Sequence, residues 1–205
     1  MVARPRCAGV ILAGGLASRF DGAPKGLHRI GGQRILDRVA GVLGEVSDEL
    51  LLVANDANAN AWLPGVRTET DVHAGLGTLA GLHAALHHTG SAVLVVAWDM
   101  PFVTSPLLGR LRSLGEGCDA AVPWSTGPRG LEPLCAYYAP ACLPAIERRL
   151  AAGDRSAVCF HADVRVTLLG ETGVRSFGDP DVLFLNINTP EQLYAANRRV
   201  TGMET

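Results

Sequence analysis

A glycine-rich loop near the N-terminus carries the residues best suited to binding phosphate. Gly14 and Gly15 follow the apolar run of residues 8–13, and two cations, Arg19 and Lys25, lie downstream. Glycine allows backbone N–H groups to approach a phosphate chain closely, and the cations neutralise its charge. The loop is therefore predicted to hold a nucleoside triphosphate. It is not a Walker A loop, since Gly26 follows Lys25. The alternative is a glycine turn with two solvated cations.

Asp99 is the candidate metal ligand. It follows residues 92–97 (AVLVVA), an apolar run that predicts a buried strand. Ligands of open α/β sheets bind at the carboxyl ends of the parallel strands, where a carboxylate has few structural roles. We therefore favour metal binding over the alternative, an aspartate that caps a helix or forms the turn before Pro101.

A second glycine-rich segment suits a different class of enzyme. Residues 75–80 (GLGTLA) match the dinucleotide fingerprint G-x-G-x-x-A, and Asp99 follows at a distance that suits a ribose-binding acid. The rival function is thus an NAD-dependent oxidoreductase. The fingerprint needs a buried strand directly before it, whereas residues 68–73 (TETDVH) are polar. The context therefore argues against this alternative.

Three histidines are spaced like metal ligands on a helix. His83 and His87 lie one helical turn apart, with His88 adjacent, so a zinc pair is an alternative to consider. The sequence offers no evident third ligand. We expect a polar helix face at these positions instead.

Alternating strands and helices are predicted to position these residues. The predicted strands are residues 8–13, 50–54, 66–70, 92–97, 119–122, 134–139 and 164–169. The predicted helices are residues 34–46, 79–88, 104–114, 141–152 and 190–199, with Thr104 and Thr189 as N-caps. This alternation indicates a three-layer α/β fold with a mainly parallel, Rossmann-like sheet, formed by residues 1–205 as one domain.

Composition restricts the class of protein and of partner. Of the 205 residues, 48% are hydrophobic and 19% are charged, and no apolar run approaches the roughly 20 residues that span a bilayer. The net charge of -2 provides no positive field for nucleic acid.

The five scattered cysteines are expected to be reduced thiols. Arg4 and Arg6 precede an apolar run too short for a secretion signal, so we expect a cytoplasmic protein.

Four stretches of the sequence resemble a known family. The string LAGG-x-x-SRF at residues 12–20, with PKGL at residues 24–27, resembles the signature of nucleotidyltransferases with the nucleotide-diphospho-sugar transferase fold. Residues 77–82 (GTLAGL), 99–102 (DMPF) and 186–191 (NINTPE) make the chain most similar to molybdenum cofactor guanylyltransferase within that group. The resemblance covers nearly the whole chain.

The resemblance implies a role for individual residues. Arg19, Lys25 and Asp99 would be catalytic, and Asp99 would be the ligand of Mg²⁺. The residues implied to bind GTP are Leu12, Ala13, Gly14, Gly15, Lys25, Asn55, Asp71 and Asp99. The residues implied on the acceptor side are Gly77, Gly81, Arg155, Asn186 and Asn188. Glu132 and Pro133 lie in a loop where the family handles its acceptor, and a plain surface role is the alternative for Arg155 and for this loop.

The chain departs from the family pattern at a few positions. Asp21 and Pro24 stand where Gly and Asp are common, and Thr78 stands where Pro is common. The bulky Trp98 precedes the predicted metal ligand. These departures bear on the identity of the acceptor.

The implied reaction transfers GMP from GTP to molybdopterin and releases pyrophosphate, with Mg²⁺ as cofactor. Transfer of CMP to the same acceptor, another small nucleotidyltransferase reaction, and a non-catalytic nucleotide-binding regulator are the alternatives. The expected partners are GTP and molybdopterin, with transient contacts to proteins that deliver or receive the cofactor. Neither nucleic acid nor a membrane is expected as a partner.

Overall fold

A seven-stranded sheet forms the centre of the computed structural model, which describes residues 5–14, 19–20, 23–73 and 75–202. From one edge to the other, its strands are β11 (Val166–Leu169), β9 (Ala120–Pro123), β10 (Cys135–Tyr138), β8 (Ala92–Ala97), β1 (Cys7–Ala13), β6 (Glu49–Ala54) and β7 (Arg67–Glu69). Strand β10 is antiparallel to both of its neighbours, and the other pairs are parallel. The prediction of a mainly parallel sheet is confirmed.

Helices and two short ribbons surround this sheet. The ribbons pair β2 (Arg19–Phe20) with β3 (Ala23–Pro24), and β4 (Arg29–Ile30) with β5 (Gln33–Arg34). The helices are α1 (Ile35–Gly44), α2 (Gly77–Thr89), α3 (Ser105–Gly115), α4 (Leu143–Ala151), α5 (Glu171–Arg175), α6 (Pro180–Leu183) and α7 (Pro190–Thr201). Within the described ranges, no helix has both the length and the apolar character needed to cross a bilayer.

Two hydrophobic clusters hold helices against opposite faces of the sheet. One cluster includes buried residues of α1, α3 and α7, and the other includes buried residues of α2 and α4. Along β8, Leu94 and Val96 belong to the first cluster, whereas Val93 and Val95 belong to the second. Side chains of a strand alternate between its two faces, so a strand covered on both faces is apolar throughout. The expected three-layer arrangement is confirmed.

The two predicted helix caps differ in their chemistry. Thr189 and Gln192 form a capping box, in which the Thr189 hydroxyl accepts from the Gln192 N–H at 3.3 Å and the Gln192 side chain accepts from the Thr189 N–H at 3.1 Å. Thr104 precedes α3, but its buried hydroxyl has no partner among the described residues. Thr104 is the N-cap residue of α3 by position, as predicted, but its side chain does not make the expected capping hydrogen bond. Pro106 occupies the first turn and has no N–H to donate to it.

A buried arginine, Arg112, connects the segments that lead into β1 and β6, at the amino-terminal ends of these strands. Arg112 donates to a carboxylate oxygen of Asp48 at 2.8 Å and to the carbonyl oxygens of Val46 at 2.7 Å and Pro5 at 3.2 Å. The Cys7 N–H donates to the same Asp48 oxygen at 2.7 Å. The Cys7 hydrogen bond, followed by the Arg112 cation, lowers the pKa of Asp48. This network is structural, because it lies at the end of the sheet opposite Asp99.

Candidate active site

The predicted site residues meet at the carboxyl edge of the parallel strands. Gly14 follows β1, Asn55 follows β6 and Asp99 follows β8, and these strands are adjacent in the sheet. The reversed direction of β10 brings its beginning, with Glu132 just before it, to the same edge. The edge therefore gathers polar residues from distant parts of the sequence, as ligand sites of open α/β sheets do.

Lys25, Asp99 and Asn188 form the centre of this edge. The Nζ atom of Lys25 lies 3.9 Å from an Oδ2 oxygen of Asp99 and donates a hydrogen bond to Oδ1 of Asn188. Lys25 is only 6% exposed, which argues against the alternative of a solvated cation at this position. The structure places Asn188 beside the residues assigned to the triphosphate and the metal, and not with the other acceptor-side residues.

Two stacked tryptophans, Trp98 and Trp62, form an aromatic wall beside the residue that follows Lys25. Gly26 packs against Trp98, and a Cβ atom added at Gly26 would lie 2.6 Å from Cε3 of the indole. The Trp98 ring in turn stacks on Trp62, with ring centroids 5.3 Å apart and planes inclined by 18°. The close packing of a glycine on this wall turns Lys25 toward Asp99. Sequence reasoning noted both Gly26 and Trp98 but did not predict their contact.

Asp99 occupies a mostly enclosed position. Its side chain is 14% exposed, and burial raises its pKa, while the Lys25 cation acts in the opposite direction. Its backbone carbonyl accepts a hydrogen bond from the Ile187 N–H at 2.9 Å, which fixes the segment that carries Asn188. Helix α3 begins at Ser105, so Asp99 does not cap it. Asp99 does lie in a turn, as the alternative expected, and the Met100 N–H donates to the Ala97 carbonyl across that turn at 3.2 Å. The carboxylate is thus placed for a charged ligand.

Glu132 is a second carboxyl group near Asp99, and sequence reasoning gave it no specific role. Its Oε1 atom accepts a hydrogen bond from the Leu134 N–H at 3.3 Å. Burial raises the pKa of Glu132 to about 7, the Leu134 hydrogen bond lowers it, and the Asp99 charge raises it further. The sequence shows a glutamate just before a predicted strand. Predicting that this glutamate lies near Asp99 would also have required the direction of β10 in the sheet.

Asn55 and Asp71 hold each other on the other side of the edge. The Asn55 Nδ2 atom donates to an Asp71 carboxylate oxygen at 2.8 Å, and the Asp71 N–H donates to Asn55 Oδ1 at 2.9 Å. A Cβ atom added at Gly81 would lie 3.8 Å from Asp71 and 3.6 Å from Leu12. The structure therefore groups Gly81, which sequence reasoning put on the acceptor side, with the residues assigned to GTP. A Cβ atom added at Gly14 would have no described atom within 4 Å, so the space beside this glycine is open.

Gly77 and Arg155 contact each other through their backbones. The Arg155 carbonyl accepts hydrogen bonds from the Leu79 N–H at 3.1 Å and the Thr78 hydroxyl at 3.2 Å. Gly77 has φ +71°, and an added Cβ would lie 3.1 Å from that carbonyl. The beginning of α2 is thus capped by the chain itself, and a dinucleotide pyrophosphate would have to displace this carbonyl.

The remaining predicted site residues lie apart or outside the described ranges. The Asn186 side chain donates to the Phe184 carbonyl at 3.1 Å, which is a local bond within its own loop. Gly15 lies outside the described residues, as does the side chain of Arg19. Their roles stay predictions.

The match to a family model agrees with this geometry. Residues 9–166 match the model of the MobA-like NTP transferase domain. The chain belongs to the MobA-like NTP transferase family.

Relatives of this MobA-like transferase match it over nearly their full length. A "Probable molybdenum cofactor guanylyltransferase" of Pelotomaculum thermopropionicum is 40% identical over 92% of this chain and 90% of the relative. A "Molybdenum cofactor guanylyltransferase" of Desulfosudis oleivorans is 33% identical over 94% of this chain and 95% of the relative. The crystal structure of molybdopterin-guanine dinucleotide biosynthesis protein A from Archaeoglobus fulgidus superposes with a TM-score of 0.79 at 29% identity, covering 96% of this chain and all of that one. The chain is thus a nucleotidyltransferase, and the oxidoreductase alternative is excluded.

Helix α2 of this MobA-like transferase places His83 and His87 in different surroundings. His83 is 2% exposed, and its Nε2 atom lies 3.6 Å from a Glu147 carboxylate oxygen on α4. Our expectation of a polar face is wrong for His83, because α4 covers that side of α2, and it holds for the exposed His87. Burial lowers the pKa of His83. In the described parts of the chain, no three His, Cys, Asp or Glu residues are arranged to hold a metal ion.

Proposed function

We propose that this MobA-like transferase moves GMP from GTP to molybdopterin, giving the guanine dinucleotide cofactor and pyrophosphate. The observation that carries the proposal is the grouping of Lys25, Asp99 and Asn188 at the carboxyl edge of the sheet. Relatives that match the chain over more than nine tenths of its length are named for this reaction. The fold, the charged centre and the relatives therefore support the same chemistry.

The site residues divide into two sides around this centre. The proposed GTP side consists of Leu12, Ala13, Gly14, Gly15, Lys25, Asn55, Asp71, Gly81 and Asp99. Gly77, Arg155 and Asn186 stay proposed for the acceptor side, where Gly77 acts through the backbone contact that positions Arg155. Asn188 orients Lys25 between the two sides.

The proposed reaction needs positioning and charge neutralisation more than acid–base chemistry. An oxygen of the acceptor's terminal phosphate attacks the α-phosphorus of GTP. The bond from that phosphorus to the bridging oxygen breaks, and pyrophosphate leaves with the electron pair. A phosphate monoester has a second pKa of about 6, so the nucleophile is ionised near neutral pH without a base. Lys25, held by Asn188, and Arg19 place positive charge beside the leaving group.

The oxygen ligands at this centre suit Mg²⁺. Asp99 offers a carboxylate and Asn188 an amide oxygen, and both are the hard donors that Mg²⁺ prefers. A single carboxylate is sufficient, because Mg²⁺ usually binds one or two carboxylates together with substrate phosphates and water. When bound, the ion would neutralise charge that develops on pyrophosphate. Asp99 would hold it, and the Asn188 amide oxygen, which has a second lone pair, would keep its bond with Lys25.

We also propose a cytoplasmic location and a single functional domain. The free cysteines of the described chain, such as the buried Cys135 and Cys142, support a reducing compartment. The two hydrophobic clusters share one continuous sheet, which supports one domain. GTP and molybdopterin are the proposed small-molecule partners, and proteins that deliver or receive the cofactor are proposed transient ones.

Ligand-induced thermal stabilisation tests the proposed function. GTP with Mg²⁺ should raise the unfolding temperature more than CTP, UTP, ATP or NAD, since a ligand that binds the native state stabilises it. Pyrophosphate release with GTP should then require molybdopterin. A larger shift with CTP would replace the proposal with cytidylyl transfer, and nucleotide binding without pyrophosphate release would favour a regulator.

A further inference from the structure

A small cavity lies beside Glu132, next to the catalytic centre. Its volume is about 150 Å³. Leu131, Pro133 and Ala157 contribute apolar walls, whereas Glu132, Arg129 and Thr78 contribute polar groups. An apolar cavity of roughly this volume holds one benzene-sized ring. This cavity therefore has room for one ring of a flat heterocycle, the ring whose polar atoms face Glu132.

The Glu132 carboxyl group has an unused hydrogen-bonding oxygen. Oε1 accepts from the Leu134 N–H, and no hydrogen bond reaches Oε2 from the described residues. Arg129, a cation among the residues that line the cavity, is exposed. A carboxyl oxygen that accepts from no described residue is free to accept from a ligand that supplies donors.

The order of the strands puts Glu132 on the acceptor side of the centre. Strand β10, which follows Glu132, is the direct neighbour of β8, which carries Asp99. Asp71 follows β7, three strands from β8 in the opposite direction, which corresponds to roughly 14 Å. Thr78 also lines the cavity, and its hydroxyl donates to the backbone carbonyl of Arg155, a residue proposed for the acceptor side. The cavity thus lies on the β10 side of Asp99, away from Asn55 and Asp71.

We propose that Glu132 recognises the acceptor by binding the amino-bearing edge of a 2-amino-4-oxopteridine ring in this cavity. The proposal rests on the proposed function, which supplies a pterin as the acceptor. The ring N–H and the adjacent amino group form a pair of donors, and a carboxyl group can accept from such a pair as it does from the fork of an arginine. Leu131 and Pro133 enclose the ring, and Glu132 orients the acceptor so that its phosphate points toward Lys25 and Asp99.

Two pteridines that differ at one position test this proposal. Pterin carries an amino group at position 2, and lumazine carries an oxo group there. Both are titrated by fluorescence against the protein with saturating GTP and Mg²⁺, which blocks the guanine site. Wild type should bind pterin roughly tenfold or more tightly than lumazine, since a site built for a donor rejects the analogue that lacks it. Equal affinities, or no pterin binding up to millimolar concentration, would overturn the proposal.

Variants then assign the preference to one residue. Glu132→Gln keeps an oxygen for the Leu134 N–H, and it should abolish the preference for pterin while GTP affinity stays unchanged. Glu132→Asp, which shortens the side chain, is the second variant if the first does not fold. Asp71→Asn is the matched control, and it should weaken GTP binding but keep the pterin preference. A preference lost in Asp71→Asn and kept in Glu132→Gln would place the pterin in the nucleotide site.

The two proposals fail in different ways. If GTP supports pyrophosphate release with molybdopterin but Glu132→Gln leaves the pterin preference unchanged, the inference fails and the proposed function stands. If Glu132 controls pterin binding but GTP neither binds nor turns over, the proposed function fails and the pterin site stands.

Discussion

Lys25 and Asp99 face each other across 3.9 Å in a nearly enclosed space, although they come from distant parts of the sequence. The contact depends on the Gly26 packing against Trp98, the residue directly before Asp99. One wall therefore sets the positions of both charged groups. Changes to either charge or to the wall should affect the reaction in separable ways.

Asp99→Asn should separate nucleotide affinity from turnover. We expect the fold and much of the GTP affinity to remain, and turnover to fall by roughly a hundredfold or more, because the lost charge acts most strongly as pyrophosphate leaves. Pyrophosphate release is measured across a Mg²⁺ titration, with circular dichroism as the folding control. Wild-type turnover with the same Mg²⁺ dependence would assign Asp99 a structural role.

Lys25→Met should weaken GTP binding by roughly tenfold to a hundredfold, since it removes a charge-assisted contact to the phosphates. Methionine is chosen because Lys25 is buried, and alanine would leave a cavity as well. Calorimetric titration with GTP measures the effect. Arg67→Met, at an exposed position on β7, is the matched control and should bind GTP as wild type does.

Gly26→Ala should disturb the site through the aromatic wall, whereas Gly115→Ala should only destabilise the fold. Added Cβ atoms would lie 2.6 Å from the Trp98 ring and 2.2 Å from the Tyr137 ring, respectively. Each overpacked contact is expected to cost about 1–3 kcal/mol of unfolding free energy. Chemical denaturation measures that cost, and steady-state kinetics of the folded fraction should show a raised KM for GTP in Gly26→Ala alone. Equal kinetic defects would contradict the role assigned to the wall.

His161 should make the protein less stable as the pH falls below about 6.5. Burial lowers its pKa from 6.5 to about 4 in the folded state. The unfolded chain therefore takes up a proton first, and the unfolding free energy decreases between pH 6.5 and 4 by on the order of 3 kcal/mol.

His161→Leu should flatten this dependence in urea titrations at several pH values, although His83, whose pKa is also lowered, retains part of it. The lowered pKa of Asp48 contributes at more acidic pH, because that contribution is lost only as the pH falls through the folded pKa of the aspartate. An unchanged slope between pH 6.5 and 4 would show that His161 is solvated.

Much of the fold was predictable because strands buried on both faces have continuous apolar runs. Residues 92–97 coincide with β8, and the edge position of Asp99 followed from that strand alone. Thr189 was predictable as a cap because its partner Gln192 lies in the same helix. These features depend on neighbours in the sequence.

The features that sequence reasoning missed depend on contacts between distant segments. Lys25 is buried beside Asp99 and Asn188, and His83 is covered by α4, so neither burial is visible in the local pattern. The position of Glu132 depends on the antiparallel direction of β10, which an alternating strand and helix pattern does not predict. The positions of candidate residues that follow parallel strands were thus predictable, and the position of Glu132 beside the antiparallel strand was not.

Because β10 runs antiparallel to β9, the loop between them should tolerate changes in length and sequence. That loop leaves and returns at one edge of the sheet, so its length can change without a shift in the register of β1, β6 or β8. It contributes Arg129, Leu131 and Glu132 to the cavity, and none of the residues assigned to GTP. Under the proposed function, we expect that exchanging this loop between family members gives enzymes that join the same nucleotide to a different acceptor.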